Sequence, residues 1–273
     1  MTAAINKQKP FSLKRQPGFG LVAVLCFVML YAPIITLIIF SFNAGKYISV
    51  WEGFSLQWYV SAWHNAAVQD AMIRSLVLAV QASIYSTILA TMAALGTTRT
   101  GPFPGSTAIY MMINQPLMVP EIVTAVALLT LFAVIKIGTG YQGMLYLILA
   151  HTAFCIPFAY LPIRARLEGV DLVLETAAAD LYAPPWKAFW RVTLPLLWPG
   201  IIAGAMLAFV ISLDDVVITE FIKSSGQETL PTYMLGQLRR VVSPEINAIS
   251  AVLVCLSVLV VSLFFFIDRK FKK

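Results

Sequence analysis

Residues 164–199 read RARLEGVDLVLETAAADLYAPPWKAFWRVTLPLLWP, a polar interruption between long apolar runs. The interruption carries eight charged residues: Arg164, Arg166, Glu168, Asp171, Glu175, Asp180, Lys187 and Arg191. Hydrocarbon does not hold such a density of charge at tolerable cost. The segment therefore lies in water or against another protein, while its flanks cross a membrane. Leu174, Ala177, Ala178 and Leu181 recur at i, i+3, i+4 and i+7 and so share one helical face. Asp171 stands near the start, where a carboxylate suits the helix dipole. Pro184-Pro185 marks the end, and a second short helix, 186–192, leads to Leu194-Pro195. The pattern predicts a short helix with a face of small residues, held in water between two spans and open to close approach by a partner. A solvated loop resting on the membrane surface is the plainer alternative.

Composition agrees with the flanks. The 273 residues are 59% hydrophobic and 12% charged, against about 25% charged in a soluble domain, and the mean hydropathy is +0.82. These values describe an integral membrane protein and exclude a large soluble enzyme. Cys26, Cys155 and Cys255 all fall inside apolar runs without metal or redox spacing and read as packing residues. His64 and His151 stand far apart, so no metal cluster is expected.

Taken in order, the chain opens with a basic head, 1–18. Six spans follow, at roughly 19–42, 71–95, 107–135, 143–163, 196–219 and 249–267. The first apolar run reads as a retained span rather than a signal peptide. The third is broken by Pro116 and Pro120. Between the first two lies a polar stretch rich in Trp51, Trp58, Tyr59 and Trp63, which suits the membrane interface; its WEGFSLQWY reads as a short helix lying flat. A second polar loop, 220–248, precedes the last span. Six spans put both termini on one side. On that side fall Lys7, Lys9, Lys14, Arg15, Arg99, Arg164, Arg166, Lys187, Arg191, Arg269, Lys270, Lys272 and Lys273. On the other fall Lys46, Arg74, Lys136, Lys223, Arg239 and Arg240. The positive-inside rule then makes the termini and the polar interruption cytoplasmic.

Three carboxylates fall in or beside spans: Glu121 after Pro120, and the pair Asp214-Asp215. Each is expensive there unless it faces a water-filled path, binds a cation or pairs with a base. No Lys or Arg lies in either span, which leaves another chain, a cationic substrate or a proton as partner. For Glu121 the first turn of a half-helix is a purely structural explanation. Adjacent residues on a helix lie about 100° apart, so at most one of Asp214 and Asp215 faces a narrow path. Tyr110 and Phe209 lie in the right spans to grip a cation's alkyl and ammonium groups. No nucleophile elbow, paired acid and base, or GxxxxGK[ST] phosphate loop is present in the sequence. Any pumping energy must come from a partner or an ion gradient.

The stretch that opened this reading resembles the coupling ("EAA") loop of ABC-importer permeases. That pattern is Glu-Ala-Ala, three more residues, a glycine, and later an apolar residue followed by Leu-Pro. Ala177-Ala178 match the alanines and Thr193-Leu194-Pro195 the end. The glutamate position holds Thr176, with Glu175 one place early, and the glycine position, where φ > 0 is usual, holds Tyr182. Longer stretches resemble the spermidine/putrescine (polyamine) branch of these permeases: YAPIITLIIFSFN, VPEIVTAVALLTLF, HTAFCIPFAY, SLDDVVITEF, LPTYML and VVSPEINAIS.

The resemblance implies an all-α integral membrane protein of the type I ABC-importer permease fold in the bacterial inner membrane. It would have one transmembrane domain over 19–267, a cytoplasmic coupling loop at 164–195, and a basic cytoplasmic tail at 268–273. Leu174, Glu175, Thr176, Ala177, Ala178, Asp180, Leu181 and Tyr182 would couple to the ATPase. Glu121, Asp214, Asp215, Tyr110 and Phe209 would line the path. The implied partners are two ATP-binding cassette subunits, a second and different permease chain and a periplasmic solute-binding protein, with lipid around the spans and no nucleic acid. The chain itself would be no enzyme and bind no cofactor, ATP and Mg being used by the ATPase subunits. The implied solute is a polyamine. The same machine for an amino-acid derivative or opine, a proton-coupled secondary transporter, and a non-transporting membrane scaffold remain as alternatives.

Overall fold

A computed structural model describes residues 18–47, 50–101, 103–171, 173–240 and 243–271. Residues 1–17 of the basic head and the tail's Lys272 and Lys273 lie outside the described residues. The elements are α1 (Phe19–Phe40), α2 (Gln57–His64), α3 (Ala66–Thr98), α4 (Ser106–Met118), α5 (Glu121–Thr139), α6 (Met144–Glu168), α7 (Val173–Asp180), α8 (Pro185–Ala188), a π-helical turn (Phe189–Thr193), α9 (Leu194–Asp214), α10 (Val217–Ile222), α11 (Leu230–Leu238) and α12 (Pro244–Phe271). Among the described residues there is no strand beyond one isolated antiparallel bridge, Asn43 to Phe54. Among the described residues, six helical stretches are long and apolar enough to cross a membrane: Gly20–Phe40, Ala66–Thr98, Glu121–Thr139, Met144–Glu168, Pro185–Asp214 and Pro244–Leu263. The six expected spans are all there, with three differences that chemistry explains.

The third expected span is two helices. Pro120 has no N–H to continue a helix and restrains the residue before it. Val119 is extended (ψ 137°), and α5 starts afresh at Glu121. The fifth span was expected to run to Thr219 but stops at Asp214, because Asp215 is extended (ψ 134°) and its side chain caps a new helix, α10. The short helix expected at 186–192 is not separate. α8 begins with Pro185 in its first turn, where the missing N–H costs nothing, and the π turn carries it into α9 as one 30-residue stretch. The wider π turn precedes Pro195, where regular hydrogen bonding could not continue.

The body is a three-helix core of α3, α6 and α9. Its buried positions are mostly small: Ala79, Ala82, Ala90, Ala94, Ala150, Ala159 and Ala208. In lipid, helices associate by close packing and polar contacts rather than by hydrophobic exclusion, and both are present. A Cβ at Gly204 would stand 2.7 Å from the Ala159 carbonyl oxygen, so only glycine fits there. Ser83 Oγ donates to the Ala205 carbonyl at 2.6 Å, and Cys155 Sγ to that of Ala208 at 3.4 Å. α1 lies apart and packs against α12.

At the end of the bundle opposite α7, Asn43 organises the aromatic stretch. Its side chain donates to Val50 O (2.6 Å) and accepts from Glu52 N (2.8 Å), while its carbonyl accepts from Trp58 Nε1 (2.9 Å). The WEGFSLQWY segment is helical only from Gln57, where α2 begins.

Candidate functional site

Two polar constructions stand out, one at each end of α9. The first is the loop between α6 and α9. Asp171 Oδ1 accepts from Val173 N at 3.0 Å and starts α7. The end of α7 is not set by Pro184-Pro185, as the sequence suggested, because those prolines open α8. Instead Tyr182 takes the left-handed conformation, φ 56°. Tyr182 N–H bonds to Ala179 O at 2.9 Å and Ala183 N–H to Ala178 O at 3.0 Å, the two bonds of a Schellman turn. The turn thus has the backbone that a glycine would adopt, with a tyrosine in its place. Tyr182 is 96% exposed and Leu181 81%. Leu174, Thr176, Ala177 and Asp180 are also exposed and Ala178 is half-buried. Glu175 turns inward: its Oε1 accepts from Arg99 Nη2 at 3.0 Å and from Thr193 Oγ1 at 3.2 Å. At the base of the loop, Arg166 Nε donates to Leu196 O at 2.8 Å.

The second construction lies where α9 breaks. The Asp214-Asp215 pair is split: Asp214 is exposed and Asp215 is buried. Asp215 accepts from the backbone N–H of Ile218 (3.3 Å) and Thr219 (2.9 Å) and from the Thr219 hydroxyl (2.8 Å). His151 of α6 stands 3.4 Å away through Nε2. His151 is fully packed, with Nδ1 2.8 Å from Ser212 Oγ and Nε2 2.9 Å from Thr219 Oγ1. The Thr219 hydroxyl has one proton, which goes to Asp215, so His151 Nε2 carries a proton and donates to Thr219. The chain of bonds runs from His151 through Thr219 to Asp215. Glu121, the first residue of α5, lies beside Asp215, and α10 packs on α5.

The structure therefore brings Glu121, Asp214 and Asp215 to one place. Phe209 sits half-buried lower on α9. Tyr110 stands elsewhere, near the start of α4, where the Arg164 guanidinium lies 4.7 Å over its ring. Sequence reasoning missed His151, Ser212 and Thr219. The signal available was an ionisable side chain inside a span, His151 in HTAFCIPFAY, which by itself marks a functional or pairing position.

Comparison with known proteins places this geometry. Residues 86–273 match the sequence pattern of the family described as "Binding-protein-dependent transport system inner membrane component". The chain is 40% identical over 242 residues to the putrescine transport system permease protein PotI of Escherichia coli (strain K12), covering 88% of this chain and 86% of that one. It is 37% identical over 244 residues to the spermidine/putrescine transport system permease protein PotC of Haemophilus influenzae, covering 89% and 93%. Among solved structures, a chain of a bacterial ABC transporter involved in the import of the acidic polysaccharide alginate superposes with a TM-score of 0.72 at 14% identity, over 94% of this chain and 95% of that chain. A chain of the MetNI methionine ABC transporter gives 0.60 at 17% identity, over 74% and 95%. At these identities the two structures establish the fold, that of ABC-importer permeases.

Proposed function

The chain belongs to the family of binding-protein-dependent transport system inner membrane components, a multi-pass inner-membrane permease, and from that premise we propose that it is one permease subunit of an ATP-driven importer of polyamines such as putrescine and spermidine. The observation that carries the choice of solute is the meeting of Glu121, Asp214 and Asp215 at the two span breaks. Three carboxyl groups grouped inside a membrane domain, one of them open to its surroundings, suit a chain of ammonium groups. The similarity to PotI and PotC supports the same choice.

In this reading the α7 end, with both termini, faces the cytoplasm, as the distribution of Lys and Arg favours. Two ATP-binding cassette subunits dock on the exposed side of α7 and on Leu181 and Tyr182. A second permease chain completes the path, and a periplasmic solute-binding protein delivers the polyamine to the far end. ATP and Mg are used by the ATPase subunits. Closure of the ATPase pair favours one arrangement of the permeases and loaded binding protein favours the same one, so each ligand biases a shared two-state element. Asp214 offers its carboxylate to the solute. Asp215 and Glu121 hold the break open beside it, and Phe209 offers an aromatic face along the way, whereas the Tyr110 ring is taken by Arg164.

The test is uptake of labelled putrescine and spermidine into proteoliposomes holding this chain with its ATPase, second permease and binding protein. ATP-dependent uptake that disappears without the binding protein is expected. Uptake by this chain alone on a proton gradient would replace the reading with a secondary carrier, and no uptake under any condition would leave a scaffold. ATP hydrolysis stimulated by a binding protein loaded with another solute, without polyamine uptake, would keep the importer and discard the polyamine.

A further inference from the structure

α7 is an eight-residue helix with no buried residue of its own. A helix this short does not persist in water by propensity alone, and its main neighbours, α8 and the π turn, belong to the same loop. Apolar packing therefore does not fix it to the membrane domain. A polar contact does. Arg99 is the C-cap residue of α3, and its Nη2 reaches Glu175 Oε1 at 3.0 Å, with the two side chains 20% and 26% exposed. The same carboxylate oxygen accepts from Thr193, which is buried at the entrance to α9. One carboxylate thus ties together the end of α3, the coupling helix and the start of α9, and α3 and α9 are two of the three core helices.

The position of Glu175 in the sequence explains why it points there. Successive residues on a helix are turned by about 100°. Glu175 and Ala178, three residues apart, share one face of α7 and are its half-buried residues, so Glu175 lies on the side turned toward α3 rather than among the exposed residues. The pair is partly shielded, the Arg99 Nε is itself buried, and an ion pair in such surroundings resists opening more than an exposed one.

We propose that Arg99 and Glu175 are a positioning pair that holds α7 against the end of α3, so that movement of the coupling helix passes directly into α3 and α9. The proposal rests on the importer reading above for what the movement accomplishes, but not for the attachment itself. Neither residue touches solute in this account; both act through the placement of α7.

The experiment is a charge-reversal cycle, Arg99→Glu, Glu175→Arg and the double variant, read in two ways. Amide hydrogen exchange over 173–183 in the full chain reports the attachment. Each single reversal should speed exchange there about five-fold, as loss of a partly buried pair implies, and the double variant should return it to within about two-fold of the starting rate. In the reconstituted importer, each single reversal should lower the solute moved per ATP hydrolysed, and the double variant should recover it. A merely structural role would not give recovery in that ratio. Unchanged exchange in the single variants, a double variant that recovers neither readout, or single variants with full uptake per ATP would each overturn the proposal. Glu175→Gln keeps the size and the acceptor for Thr193 while removing the charge. It should give an intermediate exchange rate even if the reversals do not fold, and no change in that variant would count against the pair. If the unaltered importer shows no ATP-driven uptake, the importer reading fails, and the exchange cycle alone decides whether the pair holds α7.

Discussion

Replacing Tyr182 with glycine should hold the coupling turn closed more firmly. A residue with a Cβ in the left-handed conformation costs about 1–2 kcal/mol, and Tyr182 sits there at φ 56°. Glycine removes that cost but adds freedom to the open chain, which returns about 0.5–1 kcal/mol. The tyrosine side chain is 96% exposed, so its removal sacrifices almost no burial. The balance favours the closed turn by about 0.5–1 kcal/mol, roughly two- to five-fold in the opening equilibrium. The amides that report it are those of residues 182 and 183, whose N–H groups close the turn onto Ala179 O and Ala178 O. Their hydrogen exchange, which tracks local opening, should slow by that factor in Tyr182→Gly and quicken in Tyr182→Val, since a β-branched residue tolerates the left-handed region worst. Exchange that quickens in Tyr182→Gly would refute the reasoning and mean that the tyrosine ring itself holds the turn.

Four other outcomes follow from the structure. Gly204→Ala places a methyl 2.7 Å from the Ala159 carbonyl oxygen and should lower stability by about 1–3 kcal/mol, seen as an earlier thermal transition of the purified chain; an unchanged transition would mean that α6 and α9 separate freely. His151→Phe leaves Ser212 and Thr219 without their ring partner and should cost about 1–3 kcal/mol, with His151→Gln milder in the same melt. Asp214→Asn should weaken uptake of a polyamine more than it lowers stability, whereas Asp215→Ala should lower stability by about 1 kcal/mol through loss of the α10 cap; equal stability losses at both sites would put Asp214 in a structural role. Ala177→Asp adds a charge to the exposed docking side of α7 and should abolish stimulation of ATP hydrolysis by loaded binding protein, and full stimulation would move the docking face elsewhere.

The six spans were legible because length and apolarity suffice to mark them, and the break at Pro120 because proline announces it. The break at Asp215 carries no such mark. It is made by a carboxylate that finds two N–H groups and a hydroxyl ahead of it, in a sequence, LDDVVITEF, that reads equally well as uninterrupted helix. The partner of Asp215 was sought on another chain, in a cationic substrate or in a proton, yet His151 lies in the same chain, 64 residues earlier in sequence. Only the packing of α6 against α9 brings the two together, and no periodicity encodes that distance. The conformation at Tyr182 was legible from the glycine expected there, although the prolines beyond it received the credit for ending α7. The inward turn of Glu175 was invisible, because Arg99 lies at the far end of a different span.

The two polar constructions are connected by a single rod. From Pro185 to Asp214 the chain is one helical stretch of 30 residues, about 45 Å at 1.5 Å per residue, with the coupling loop at one end and the carboxyl groups at the other. A short helix such as α10 has no stability of its own. It is held by the Asp215 cap, by Thr219 and His151, and by its packing on α5, whose first residue is Glu121. A displacement of α9 therefore reaches Asp215 at the rod's end and, through α10, the break before α5. At Gly204 α9 meets the backbone of α6 at Ala159, and at Gly200 it meets the Arg166 side chain; packing that close resists separation of the two helices. A push delivered at Thr193 and Glu175 would be spent on moving the carboxyl groups rather than on parting the core.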